Sequence, residues 1–309
     1  MLANFFDKTK PFNSIILGLI FSIVYFIHVY ALEIADSIDY YWLKADVFFL
    51  INLLFLILSS YLFIKNGVSN NNLHNTFVIL LSYCMFQNAF DARQILFVTI
   101  LFLFIYRDLA SLKTSGNKQL ALFNVGFFTG ISFLIYNWSI LFLGFIFISM
   151  ILAKKIQLKN ILGTLLGTLA PIFLCFTYYF ITDNTQIFID KFGFSYSLNF
   201  EAYTQPYIKT QLIAVLFIVS LSLFSVLSKI LSTSGPYHYQ YSLAAFMLLT
   251  GFFILIMIPI KDGSELLLIF VPSAILIGRF LKLITNLVFK EVFFLVFTIF
   301  SFVVYLQNL

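Results

Sequence analysis

Long apolar stretches alternate with short polar segments along almost the whole chain. A helix needs about 17–25 apolar residues to cross a lipid bilayer. We count about eleven stretches of roughly that kind, at 13–32, 47–64, 76–90, 94–106, two within 119–153, then 160–182, 210–231, 242–260, 266–278 and 292–306. The pattern predicts an all-α fold, a polytopic bundle of transmembrane helices that forms a single integral membrane domain over residues 1–309.

The stretch from Gln119 to Ala153 carries no charge and is too long for one span. Basic segments flank it on both sides, which favours two crossings. We expect the break at Tyr136-Asn137-Trp138-Ser139. Such a turn is tolerated at membrane depth only where protein buries it or where it lines a wet cavity.

Small residues recur in the stretch 160–182, where Gly163 and Gly167 form a GxxxG pair. Pairs of this kind let two helices approach closely. We interpret the pair as local packing within one chain, and dimerisation is the alternative.

Positive charge is distributed unevenly between the two sides that this span count defines. If the N-terminus is cytoplasmic, 13 of the 18 basic residues lie in inner segments: Lys8, Lys10, Lys65, Arg107, Lys113, Lys118, Lys154, Lys155, Lys159, Lys229, Arg279, Lys282 and Lys290. The outer segments hold Lys44, Arg93, Lys191, Lys209 and Lys261. Lys and Arg resist translocation, so the bias predicts a cytoplasmic N-terminus.

Composition supports the membrane assignment. Hydrophobic residues make up 61% of the chain and charged residues 10%, whereas soluble domains carry about 25% charge. The bilayer is therefore the expected solvent and partner. The net charge of +5 lies in short loops, which indicates orientation and contact with anionic lipid, and we expect no nucleic-acid partner. The first apolar run lacks a cleavage-site pattern and is predicted to be a retained span.

The first outer segment, residues 33–46, is the densest charged part of the chain. Asp36 and Asp39 are three residues apart, so they share a face if this segment is helical. Paired carboxylates can act as a general base or hold a divalent cation. The alternative is a solvated acidic loop with aromatic anchors at the membrane surface.

Two further polar turns are predicted on the outer side. In the first, Arg93 could bind a lipid phosphate through its planar fork or pair with Asp91. In the second, Lys261 and Glu265 stand beside a Pro-containing span, and we interpret this segment as a solvated turn. His28, late in the first span, is interpreted as a hydrogen-bonded residue near the surface, although intramembrane ionisable residues are also functional candidates.

Motifs of known chemistry are few. The sequence shows no spacing typical of metal ligands, so we predict no metal site, and the cofactor is unknown. Nearly all acidic residues fall at loop edges, which argues against an ion-coupled pump.

Two segments carry a recognisable order of residue types. Leu120–Ser139 contains a helix with small residues, Gly126 and Gly130, followed by a polar turn, and Lys261–Gly278 reads as charged residues, then Leu-Leu, then Pro272. Both segments resemble parts of the GT-C-type membrane glycosyltransferases, although Glu265 stands where those enzymes often carry a basic residue.

This resemblance implies a GT-C-like arrangement of helices and a sugar donor linked to polyprenyl phosphate. It also implies a catalytic carboxylate in the first outer loop, at Asp36 or Asp39. Arg93 and Lys261 would then bind the phosphate of the carrier lipid.

The whole chain also resembles a family of inner-membrane proteins from Bacteroidota, through the run Phe5-Phe6-Asp7-Lys8-Thr9-Lys10-Pro11-Phe12-Asn13. That resemblance implies a multi-pass protein of the bacterial inner membrane and implies no activity. Two functions are therefore expected. One is a glycosyltransferase at the periplasmic face, and the other is a non-catalytic subunit that braces a larger envelope assembly of membrane-protein partners.

Overall fold

The computed structural model describes residues 5–36, 41–65, 72–113, 117–190, 192–204, isolated positions between 209 and 227, and residues 236–259, 261–284 and 286–307. The regular structure in these residues is helical, as predicted. The helices are α1 Pro11–Asp36, α2 Tyr41–Lys65, α3 His74–Met85, α4 Arg93–Ala110, α5 Lys118–Ile135, α6 Phe142–Leu152, α7 Leu158–Ile181, α8 Thr185–Asp190, α9 Pro236–Met257, α10 Leu267–Leu283 and α11 Leu287–Gln307. Short 3₁₀ helices lie at Gln87–Phe90, Ser111–Lys113, Asn137–Leu141, Glu201–Thr204 and Ser264–Leu266.

Within the described residues, eight stretches are long and apolar enough to cross a membrane, which is the pattern of a multi-pass membrane protein. They are Pro11–Tyr30, Asp46–Lys65, Arg93–Lys113, Lys118–Ile135, Leu158–Ile181, Tyr239–Met257, Ser264–Lys282 and Leu287–Gln307. The third predicted span is the 12-residue α3, and the sixth is a shorter apolar helix, Asn137–Leu152. The eighth, 210–231, lies largely outside the described residues. The eleven-span count and the cytoplasmic N-terminus stay predictions.

Several helices extend beyond the apolar stretches that predicted them. α1 continues to Asp36, and α10 continues to Leu283. Hydropathy marks only the part of a helix that the bilayer can cover, whereas the backbone hydrogen bonds continue into its polar ends. The loops are therefore shorter than the sequence pattern indicates.

The predicted helix break at Tyr136 is confirmed. α5 ends at Ile135, Tyr136 is extended, and the 3₁₀ helix Asn137–Leu141 leads into α6. The Asn137 amide donates to the carbonyl of Gly193 at 2.6 Å, and the Trp138 indole N–H donates to that of Ser195 at 2.7 Å. These residues line a cavity of about 140 Å³, and both side chains are paired with backbone carbonyls.

The chain divides into two compact units. Unit 1 comprises residues 1–93, 200–232 and 261–309, and unit 2 comprises residues 94–199 and 233–260. In unit 1, α10 packs against α3, whose twelve residues are all buried, and α3 in turn packs against α11. The span that contains α10 is 89% buried. The prediction of a single domain stays a prediction.

The most extensive helix pair in unit 2 is α5 with α7. A Cβ atom added to Gly126 of α5 would meet the backbone of Thr164, and one added to Gly167 of α7 would meet the backbone of Phe123. Gly163 faces open space, with no atom within 4 Å of such a Cβ. Packing within one chain is therefore confirmed for Gly167, which lies against the α5 backbone at Phe123, whereas Gly163 takes no part in the contact.

This geometry predicts opposite effects for two glycines of one motif. Gly167→Ala forces two backbones apart and should destabilise the protein by about 1–3 kcal/mol, the usual cost of overpacking. Gly163→Ala is sterically free and should change stability by less than about 1 kcal/mol, with a gain from helix propensity. The measurement is the midpoint of thermal unfolding in detergent. Equal destabilisation by the two variants would contradict this account of the contact.

Candidate functional site

Two polar turns lie side by side at one end of unit 1. The first, Phe86–Arg93, follows α3, and the second, Lys261–Leu266, precedes α10; together we call them the polar turn pair. The side-chain amide of Asn88 donates to the carbonyl of Asp262 at 2.7 Å, and the 3₁₀ helices of the two turns are in contact. Arg93 and Lys261, which are far apart in the sequence, thus belong to adjoining turns.

The second turn is built by the run Asp262-Gly263-Ser264. Gly263 has a φ of +93°, in the left-handed region that glycine adopts without steric cost. The carboxylate of Asp262 accepts from the N–H of Ser264 at 3.0 Å, which is the local bond that favours aspartate in tight turns. The sequence therefore folds back sharply just before α10.

Glu265 is the most buried charged residue of this turn, with 0% exposure. The Tyr203 hydroxyl donates to its Oε1 atom, and the N–H of Gly263 donates to its Oε2 atom at 2.9 Å. Burial, and then the negative charge of Glu265, raise the pKa of Tyr203 well above its usual range. The phenol therefore keeps its proton and remains a donor. Both carboxyl oxygens are satisfied, as a buried polar group requires.

Lys261 is also buried, with 6% exposure. Its Nζ atom lies 4.5 Å from the centroid of the Phe200 ring, and Phe200 lies against Tyr203 with ring centroids 6.4 Å apart. Burial lowers the pKa of Lys261, and the charge of Glu265 opposes that shift. The segment 200–204 therefore covers the second turn, and the interpretation of Lys261 and Glu265 as a solvated turn is wrong.

The charged residue of the first turn, Arg93, differs from Lys261 in its exposure to solvent. Arg93 is exposed, and its guanidinium carbon lies 4.0 Å from the centroid of the Phe48 ring. Stacking of this kind occupies the face of the guanidinium and leaves its edge, which carries the N–H donors, available to an anion. The carboxylate of Asp91 contacts His28, with 3.2 Å between Oδ2 of Asp91 and Nε2 of His28. Thus His28 is hydrogen-bonded, as interpreted from the sequence.

Buried polar side chains lock the first turn to its surroundings. The Asn52 amide of α2 donates to the carbonyl of Phe90 at 3.1 Å, and the Tyr83 hydroxyl donates to Oδ1 of Asn52 at 2.9 Å. Gln87 donates to the carbonyl of Tyr305 in α11 at 2.8 Å. Sequence reasoning missed Asn52 and Gln87. The available signal was a polar side chain within an apolar stretch, where an unpaired group would be costly.

The two predicted catalytic residues are placed only in part. Asp36 is the last residue of α1, and its side chain lies outside the described part of the structure. Asp39 lies outside the described residues altogether. The structure therefore brings together the turns of Arg93 and Lys261, and the pairing of Asp36 with Asp39 stays a prediction. In the described ranges, no group of three His, Cys, Asp or Glu side chains is placed to hold a metal ion.

The polar turn pair has the chemistry of an anion site at its exposed edge. Arg93 offers exposed donors, and the amine of Lys261 adds a second positive charge on the adjoining turn. Glu265, with both oxygens occupied, holds the second turn closed. Its position makes it a structural group, unlike a base that must reach a substrate.

The contact between Tyr203 and Glu265 yields a direct test of this structural role. Tyr203→Phe removes a donor from a fully buried carboxyl and should lower stability by about 1–3 kcal/mol, the cost of an unsatisfied buried polar group. Tyr196→Phe is the matched control, because Tyr196 is 66% exposed. The thermal midpoint in detergent reports both changes. If the two variants unfold together with the wild type, Tyr203 does not hold the carboxyl.

Comparison with known proteins identifies the family alone. Searches of curated proteins and of solved structures found no match to the chain. A family model described as "Family of unknown function (DUF6427)" matches residues 1–309. The chain therefore belongs to the DUF6427 family.

Proposed function

We propose that this protein is a GT-C-like glycosyltransferase that takes a sugar from a polyprenyl-phosphate carrier at the periplasmic face of the bacterial inner membrane. An acceptor hydroxyl oxygen attacks the anomeric carbon of the sugar, and the bond from that carbon to the phosphate oxygen breaks. The carrier phosphate leaves with the electron pair. Asp36 or Asp39 takes the proton of the attacking hydroxyl.

The observation that carries this proposal is the position of Arg93 and Lys261 on hydrogen-bonded turns. A phosphate that leaves with a developing negative charge is stabilised by fixed cations nearby. The Arg93 guanidinium is held on the Phe48 ring, so its fork is oriented before a substrate arrives. A guanidinium fixed in this way can bind a phosphate through two parallel hydrogen bonds, which a mobile surface side chain does less well.

The helix that ends at Asp36 is joined to the polar turn pair. His28 of α1 contacts Asp91 of the first turn. Asp36 follows His28 by two helical turns, which corresponds to about 12 Å along the axis. Asp36 therefore lies on a helix that contacts the turn carrying Arg93.

The second candidate function is a non-catalytic membrane subunit. It is favoured by Glu265, which occupies a position where GT-C enzymes often carry a basic residue and which is fully buried. Phe200 also covers Lys261. A turn pair with these buried charges would be rigid, and it would support a larger assembly without binding a carrier lipid.

Substitution of the two loop carboxylates distinguishes these functions. The double variant Asp36→Asn, Asp39→Asn should lose at least about a hundredfold in activity, the usual contribution of a general base. The measurement is complementation of a strain that lacks the gene. Asp46→Asn is the matched control, because Asp46 lies in the same acidic segment and is exposed. Full complementation by the double variant would reject the catalytic model and favour the subunit.

Arg93→Gln tests the carrier site separately. Removal of the exposed guanidinium should weaken binding of polyprenyl phosphate to the purified protein by roughly tenfold, as expected for a charge-assisted contact of about 1.5 kcal/mol. Native mass spectrometry in detergent measures the lipid adducts. Lys209→Gln is the control, because Lys209 is an exposed basic residue that belongs to neither turn. Equal adducts for wild type and Arg93→Gln would remove Arg93 from the site.

A further inference from the structure

The starts of α5 and α7 lie together at one end of unit 2. The two helices run parallel, because Gly126 lies against the backbone of Thr164, and Gly130, about one turn later, lies against that of Thr168. Both helices therefore begin at the same end of the pair. The N-terminus of a helix carries a partial positive charge and backbone N–H groups that lack a partner within the helix. Two such ends side by side create a positive field.

A cavity of about 320 Å³ lies between these two helix starts. Its lining residues are Gln119, Leu120, Phe123, Lys159, Asn160 and Gly163. A Cβ atom added to Gly163 would meet no atom within 4 Å, so the cavity reaches the backbone of α7 there. Asn160 is buried, and its side-chain amide donates to the carbonyl of Lys155 at 2.7 Å. That bond holds the turn that carries Lys155 beside the cavity.

The sequence that builds this cavity is rich in lysine and lacks acidic residues. No Asp or Glu occurs between Asp108 and Asp183. The lysines of this stretch are Lys113, Lys118, Lys154, Lys155 and Lys159. The sequence of unit 2 contains three acidic residues, Asp108, Asp183 and Asp190. Asp108 is ion-paired with Arg107, with 2.7 Å between Oδ1 and Nε. The other two follow the far end of α7, whose 24 residues span about 36 Å. The excess of positive charge in unit 2 at the cavity favours an anionic ligand.

The position of the cavity along the helices indicates which anion it accepts. Candidate spans begin at Lys118 and Leu158, which places the cavity at headgroup depth. Leu120, Leu158 and Leu162 are 56%, 74% and 49% exposed, so apolar surface adjoins the cavity on both helices. A phospholipid matches both features, because its phosphate meets Lys159 and the helix N-termini while its acyl chain meets the apolar side chains. Inorganic phosphate would use the positive groups alone.

We propose that the cavity between the starts of α5 and α7 binds an anionic phospholipid, with the phosphate group at Lys159 and an acyl chain against Gly163. Basic pockets between transmembrane helices are suited to anionic headgroups. The bound lipid joins the two helix starts just before the close contact at Gly126 and Gly167. This site is independent of the proposed transferase activity, since it lies in unit 2 and shares no residue with the polar turn pair.

The first test removes positive charge from the full chain, purified in mild detergent and freed of bound lipid. Phosphatidylglycerol and phosphatidylcholine are titrated in parallel, and native mass spectrometry counts the adducts. We expect phosphatidylglycerol to bind more tightly. The double variant Lys155→Gln, Lys159→Gln should weaken its binding on the order of 25-fold, about fivefold for each positive charge removed. The charge-preserving variant Lys155→Arg, Lys159→Arg should retain the binding. The matched control Lys8→Gln, Lys10→Gln makes the same change in net charge at exposed positions of unit 1 and should leave binding unchanged.

The second test fills the cavity without a change in charge. Gly163→Leu places its side chain in open space and should weaken phosphatidylglycerol binding by about tenfold, the effect of roughly two lipid methylenes that lose their apolar contacts. Gly144→Leu is the matched control, because a Cβ atom at Gly144 also meets no atom within 4 Å and Gly144 does not line the cavity. Both variants should unfold at the thermal midpoint of the wild type or above it, since leucine favours a helix more than glycine does.

Several results would overturn the proposal. They are equal binding of the two lipids, an equal loss in the Lys8 and Lys10 control, and full displacement of the lipid by millimolar inorganic phosphate. A Gly163→Leu protein that binds phosphatidylglycerol as the wild type does would also overturn it, because the lysines would then act without the cavity. So would a species with the mass of a second chain in place of the lipid adduct, since the cavity would then be an interface between two copies.

Discussion

The arrangement of unit 1 depends on how the chain buries the carboxyl group of Glu265. This residue stands at the start of the most buried candidate span and has no exposed surface. A carboxyl without partners would cost several kcal/mol there. The Tyr203 hydroxyl and the Gly263 N–H meet that cost, and each imposes a condition on the fold. Gly263 must take a left-handed backbone, and segment 200–204 must return across the turn.

The left-handed Gly263 and the return of segment 200–204 also determine where the other polar groups of the polar turn pair lie. The return of segment 200–204 brings Phe200 over Lys261. The tight turn at Gly263 presents the Asp262 carbonyl to Asn88, which joins the two turns. Arg93 and its aromatic support, Phe48, lie at the edge of the same arrangement. The structural carboxyl therefore positions a pair of cations without acting on a ligand itself.

Apolar periodicity and charge bias predict the helices well because both are local properties of the chain. They locate α5, its break at Tyr136 and the start of α6, since a charge-free stretch of that length needs a turn. They fail at Glu265 and Lys261, because nothing in residues 261–266 indicates that residues 200–204 will cover them. The GxxxG pair shows the same limit. The motif marks a close helix contact, but only Gly167 lies against the neighbouring backbone, at Phe123 of α5, whereas Gly163 faces open space.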